Sequence, residues 1–196
     1  MGWKLKDIIL MAIVAVVMGA VFYGVLQIGT GIVAGLTPLG YGDIGWEPLY
    51  GVYFMAGLLV CYIIRKPGIG IIAEMLAAII EVLLGNMFGP EVIISGLIHG
   101  VAVELVFLIF MYRKWGWAQT ILAAVSAAVL SYIHDYFVYS YYMLQPKMII
   151  LGIIIRIISA IIFTGIIAKL IADGLNRAGV LKGYKISGNL KDLYED

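Results

Sequence analysis

Cysteine is almost missing from this chain of 196 residues: Cys61 stands alone. An intrachain disulfide is therefore impossible, and no cysteine cluster can hold a metal. Charge is scarce too, with Asp, Glu, Lys and Arg making 13% of the residues against 63% hydrophobic. Soluble domains carry about a quarter charged residues, so that class is excluded. The H-E-x-x-H, G-x-S-x-G and G-x-x-x-x-G-K-[ST] patterns are absent, which removes the usual zinc-hydrolase, serine-hydrolase and ATP-splitting machinery. Period-two alternation is missing as well. Met148-Ile149-Ile150-Leu151-Gly152-Ile153-Ile154-Ile155 does not read as a strand of a transmembrane barrel.

What is present is a series of long apolar runs, each able to cross a hydrocarbon layer of about 30 Å. The reading is an all-α polytopic membrane protein with six transmembrane helices, at roughly 8–34, 48–64, 68–85, 91–112, 117–140 and 147–172. They form one transmembrane domain over 1–196, with a short cytoplasmic tail at 174–196. The first run is too long for a signal h-region and is read as a retained helix. Pro38, Pro48, Pro67, Pro90 and Pro146 all fall in connections or in a first helical turn, where a missing N–H does no harm. With both termini cytoplasmic, Lys4, Lys6, Arg65, Lys66, Arg113, Lys114, Lys169, Arg177, Lys182, Lys185 and Lys191 fall inside. Only Lys147 falls outside, and Arg156 lies within the last run. That is a strong positive-inside bias.

Charges inside the runs carry the functional signal. Glu74 and Glu81 are seven residues apart, so on a helix they point within about 20° of each other. His99, Glu104, Gly96 and Gly100 follow on the returning helix, and the glycines admit a neighbouring backbone or a flat ligand. Ser131, Asp135 and Tyr139 form a stripe at i, i+4, i+8. Arg156 is expected to pair with Asp135 or Glu81. Charge at such depth costs several kcal/mol on the lower scales, and one arginine cannot account for four acids. The excess suits a cationic or donor-rich ligand. Trp46, Tyr50, Tyr53 and Tyr139 suit a flat ring, by stacking or cation–π contact. Trp46 lies in a glycine-rich outer loop, Leu36 to Pro48, and serves either as a headgroup-level anchor or as a lid. In helix one, Ala15/Gly19 and Ala20/Gly24 are small-xxx-small pairs. Packing inside the bundle is the commoner use of such pairs; a docking face for another membrane subunit is the sharper one.

Arg65-Lys66-Pro67-Gly68, then Ala73-Glu74 and Glu81, Gly85-Asn86-Met87-Phe88-Gly89, and Gly100-Val101-Ala102-Val103-Glu104-Leu105-Val106-Phe107 resemble the YkoE family. These are substrate-binding S components of energy-coupling factor (ECF) transporters. The ending Gly174-Leu175-Asn176-Arg177-Ala178-Gly179-Val180-Leu181 is similar to that family's tail. His99 departs from the glutamine of the family's Gln-Gly-x-x-x-Glu pattern. The resemblance implies a multi-pass protein of a prokaryotic cell membrane, without cofactor, metal or ATPase site of its own. It would capture thiamine or its hydroxymethylpyrimidine precursor from outside, and work with a transmembrane T component and cytoplasmic ATPase subunits. It favours docking for Ala15, Gly19, Ala20 and Gly24 and a lid role for the loop around Trp46. Glu81 and Glu104 would then bind the aminopyrimidine or balance the thiazolium. His99 would make one ring hydrogen bond, with Tyr50, Tyr53, Trp46 or Tyr139 stacking and Asp135 in the same wall. Glu74 sits deeper and is read as structural or coupling.

Two further readings stand beside it. One is a small ion-coupled carrier of a cationic metabolite, using Glu74 and Glu104 as a proton relay. The other is an intramembrane metalloenzyme built on His99, His134 and Glu104.

Overall fold

A computed structural model describes residues 2–188, so the expectation placed on Lys191 lies outside the described residues. Every regular element among the described residues is helical. Six helices are α1 (Leu5–Leu36), α2 (Met55–Ile64), α3 (Ile69–Leu83), α4 (Glu91–Ile109), α5 (Trp117–Val138) and α6 (Pro146–Arg177). Five helical segments are long and apolar enough to cross a membrane: Leu5–Leu39, Gly42–Ile64, Glu91–Ile109, Trp117–Val138 and Pro146–Arg177. The third expected run is the exception. At 15 residues, α3 spans only about 22 Å, because Gly68 (φ 81°) opens it late and the turn at Gly85 (φ 96°) ends it early.

Helix boundaries follow local chemistry. Asp7 accepts from the Lys4 N–H (2.8 Å) and pairs with Lys66 Nζ (2.6 Å), tying the start of α1 to the α2–α3 connection. Arg65 ends α2 in the left-handed region (φ 58°), and Lys66-Pro67 cannot continue the helix. The Gly116 N–H donates to Gln119 Oε1 (3.0 Å) at the start of α5.

All ten residues of α2 are buried, making it the central post of the bundle. Around it the other helices approach through small residues. A Cβ at Gly100 would stand 2.7 Å from Ile71 Cα, and one at Gly96 would stand 2.9 Å from Ala78 Cβ. Gly96, close against Ala78, also lines the cavity described below, whereas Gly100 admits the α3 backbone. Gly19 does the same for α1 on α3, since its Cβ would stand 2.6 Å from Ile80 Cβ.

That contact corrects the docking face expected on helix one. Ala15 and Gly19 are buried, Gly19 against α3, whereas Ala20 and Gly24 are exposed and nothing approaches Gly24.

The second run begins differently from expectation: Glu47–Phe54 is a 3₁₀ segment, and only then does α2 start. Tight 3₁₀ turns of this length are uncommon and need outside support for their backbone. The support comes from α6. Ser159 Oγ accepts from the Gly51 N–H (3.0 Å) and donates to the Pro48 carbonyl (2.8 Å), and Thr164 donates to the Gly51 carbonyl (2.5 Å). Thr164 lies in a stretch of wide π-helical turns, Ile161–Ala168, within α6.

Candidate functional site

A repeat of three residues per turn puts side chains at i, i+3 and i+6 in line. The 3₁₀ segment therefore presents Glu47, Tyr50 and Tyr53 on one face. Arg156 of α6 meets the first two. Its Nε and Nη2 donate to Glu47 Oε2 (2.5 Å) and Oε1 (2.8 Å), and the guanidinium lies 3.5 Å from the Tyr50 ring centre. Nη1 donates to Asp135 Oδ2 (2.7 Å) and Ser131 Oγ (3.2 Å) of α5. The Tyr50 hydroxyl also donates to Asp135 (2.7 Å), and Tyr141 donates to Glu47 (3.3 Å). Arg156 and Glu47 are both fully buried.

The expected partner Asp135 is thus present. The expected partner Glu81 is replaced by Glu47, from the glycine-rich connection that ends at Pro48.

Next to this network lies a cavity of about 450 Å³, walled by α1, α3, α4, the 3₁₀ segment and the outer connections. It brings together Trp46, Tyr50, Tyr53, Glu74, Glu81, His99, Asp135 and Tyr139. Four carboxylates line it, those of Asp43, Glu74, Glu81 and Asp135, and none of its lining residues is Lys or Arg. Asp135 is fully engaged by Arg156, Tyr50 and His134 (3.0 Å), so it belongs to the wall. Glu81 Oε1 accepts from Asn86 Nδ2 (2.5 Å). Glu74 accepts the Gly57 N–H through Oε2, while its Oε1 has no partner. Ser95 Oγ and His99 Nε2 are buried and unpartnered as well. An orphaned polar atom in a low-dielectric interior is costly. Three around one hollow mark it as a place for a polar guest.

His99 is set edge-on to Phe54 (4.8 Å) and Tyr50 (5.9 Å), which fixes its ring. Above it, Trp46, Phe88 and Tyr139 form an edge-to-face chain, with ring centres 5.6 and 5.9 Å apart, across the mouth. Burial pushes the Tyr139 hydroxyl up to about 12, so it remains a neutral donor there. Phe88, Asn86 and Asp43 also line this cavity, yet the sequence reading named none of them as site residues. Asn86 and Phe88 lie in the stretch that carries the family resemblance, and Asp43 in the glycine-rich loop beside Trp46.

Trp46 rests on Gly29, where a Cβ would stand 2.5 Å from the indole ring. Gly29→Ala should therefore displace the indole. A red shift of tryptophan emission with weaker ligand retention is expected; an unchanged spectrum would leave Trp46 without a closing role.

Glu104 lies outside this cavity. Its carboxylate accepts the N–H groups of Gly68 and Ile71 (3.2 Å) and the Tyr112 hydroxyl (2.6 Å), so it caps the otherwise unsatisfied N-terminus of α3. The binding role read for it from sequence is thereby corrected. The triad His99, His134 and Glu104 is not assembled, and no group of three His, Cys, Asp or Glu among the described residues is placed to hold a metal.

Among the described residues, an apolar helical bundle with a polar, acid-lined hollow is the architecture of a membrane protein that holds a small molecule. The model of the family "ABC-type cobalt transport system, permease component" matches residues 6–130. YkoE of Bacillus subtilis (strain 168), by name an HMP/thiamine permease protein, is 34% identical over 97% of this chain and 93% of its own length. A solved structure titled as an S component of an ECF transporter superposes with a TM-score of 0.91 at 34% identity, covering 97% of this chain and 94% of that one. The chain belongs to the YkoE family of ECF S components, and is a multi-pass protein of the plasma membrane.

Proposed function

We propose that this S component captures a flat cationic vitamin of the thiamine or hydroxymethylpyrimidine type from the outer face. The observation that carries the proposal is the hollow of about 450 Å³ lined by four carboxylates and by no lysine or arginine. Thiamine joins a positively charged thiazolium to an aminopyrimidine rich in hydrogen-bonding groups. The acids suit the charge, and the orphaned Glu74 Oε1, Ser95 Oγ and His99 Nε2 suit the ring. The name of the B. subtilis relative supports this ligand class. The cobalt of the family description fits less well, since no three His, Cys, Asp or Glu among the described residues are placed to hold a metal ion.

In this reading Glu74, Glu81 and His99 hold the ligand; Tyr50, Tyr53, Trp46 and Tyr139 stack on it; Asp135 steadies the wall. The chain forms one transmembrane domain, and six crossings, with the short α3 as one of them, place both termini in the cytoplasm. The end bearing Lys4, Lys6, Lys66, Arg113 and Lys114 then faces inward. Ala20 and Gly24, exposed on α1, offer close approach to a T component, which with cytoplasmic ATPase subunits would supply the work. The carrier alternative loses its relay. Glu104 is committed to the α3 terminus, and no hydrogen bond among the described residues links it to Glu74.

Calorimetric titration of purified protein with thiamine and with hydroxymethylpyrimidine tests the reading. Glu81→Gln should weaken the preferred ligand about tenfold, the value of one charged hydrogen bond. Glu104→Ala should leave affinity unchanged while lowering the unfolding temperature, as a lost cap does. Absence of binding by both compounds, or full affinity in Glu81→Gln, would overturn the proposal.

A further inference from the structure

The way α3 ends ties the acid-lined hollow to its own mouth. Gly85 stands in the left-handed region (φ 96°). Its N–H donates to the Val82 carbonyl (3.0 Å), and the Asn86 N–H donates to the Glu81 carbonyl (3.3 Å). This pair of bonds is a Schellman ending, which folds the residue after the glycine back onto the one five places before it. The side chains that meet there are commonly apolar. Here they are Glu81 and Asn86, and Asn86 Nδ2 donates to Glu81 Oε1 (2.5 Å). No hydrogen bond among the described residues reaches Glu81 Oε2, so Glu81 can take a guest without releasing Asn86.

Asn86 uses its other end as well. Oδ1 accepts the Phe88 N–H (2.6 Å), an Asx turn that sets the course of the next two residues. Gly89 (φ 68°) lets the chain leave that turn. Phe88 is thereby set edge-on to both Trp46 and Tyr139 in the aromatic chain across the mouth. It is 38% exposed, so the turn more than packing fixes its place. One side chain thus holds an acid of the hollow and a ring of its mouth.

We propose that Asn86 is a positioning residue that couples Glu81 to closure of the mouth. With Glu81 in place, Asn86 keeps Phe88 against Trp46 and Tyr139; with that carboxylate withdrawn, the turn is released. The link is present without a ligand, and its effect on vitamin exchange rests on the reading above.

The test uses the full chain in detergent with Leu26→Cys as a reporter. Leu26 lines the hollow and is 2% exposed, and the native Cys61 is fully buried. With no vitamin present, the rate of labelling by a water-soluble methanethiosulfonate reads how often the mouth opens. Asn86→Ala should raise that rate about tenfold, the worth of one hydrogen bond to a charged group. Glu81→Ala should raise it as much when Asn86 is intact and add nothing in Asn86→Ala, because the same link is already cut. Asn86→Ser keeps an acceptor for the Phe88 N–H but is too short to reach Glu81, so it repeats the test if Asn86→Ala melts lower. Release of thiamine should quicken by a similar factor in Asn86→Ala. If the parent binds no thiamine, the vitamin reading falls while the labelling rates still decide the link. The link is overturned by an Asn86→Ala rate equal to the parent's, or by a Glu81→Ala factor that is the same in both backgrounds. Unchanged release from a protein that does bind thiamine overturns it as well.

Discussion

Arg156→Met should cost about 3–5 kcal/mol of folding stability, the loss expected when one member of a buried charge network is removed. Arg156 and Glu47 are wholly shielded from solvent, and Asp135 is nearly so. Without the guanidinium, two carboxylates face each other in a low-dielectric interior with only Tyr50, Tyr141 and His134 to answer them. The unfolding temperature should fall on the order of 10 °C. Adding Glu47→Gln to Arg156→Met removes one stranded charge and should recover part of the loss. A double variant no better than the single one would show that the arginine acts through packing on Tyr50 and Tyr132, whose rings lie 3.5 and 4.8 Å away.

Glu74→Gln is expected to separate binding from folding. One oxygen of Glu74 accepts the Gly57 N–H, and an amide can keep that bond. Oε1, the unpartnered atom, would become an NH₂ group, turning an acceptor into a donor. The variant should unfold within about 1 kcal/mol of the parent, yet bind its vitamin some 10- to 100-fold more weakly. Equal affinity would reduce Glu74 to a strut between α3 and α2, as one branch of the sequence reading had it. Titration calorimetry beside a thermal melt reads both quantities on one sample.

Glu104, which sequence marks as a ligand group, and Glu47, which it does not single out, show how far local pattern goes. Periodicity and run length are local, so the all-helical class, five of the long apolar runs, and the face shared by Glu74 and Glu81 were legible, while the short α3 and the 3₁₀ start of the second run were not. Glu104 was not, because what it does depends on where the N-terminus of another helix lies. Spacing along α4 places its depth, but the carboxylate is claimed by Gly68 and Ile71 across the α3–α4 contact. Glu47 was hidden for a different reason. It precedes Pro48 in a glycine-rich connection and reads as a solvated loop acid, whereas the three-residue spacing of Glu47, Tyr50 and Tyr53 carries its alignment. That spacing has meaning only once the segment is known to be 3₁₀, and the segment is 3₁₀ because Ser159 and Thr164 hold its backbone. Gly96 and Gly100 show the same limit: sequence left a neighbouring backbone and a flat ligand both open, and only the packing puts the α3 backbone at Gly100 and the cavity at Gly96.

The wide turns at Ile161–Ala168 set the phase between the two halves of the last helix. The N-terminal half is timed to aim Arg156 into the bundle, and the C-terminal half is timed to aim Lys169 at Tyr62 and Trp117. Deleting one residue within those turns would rotate one half by about 100° relative to the other. The protein could then keep its buried charge lock or its aromatic clasp, but not both.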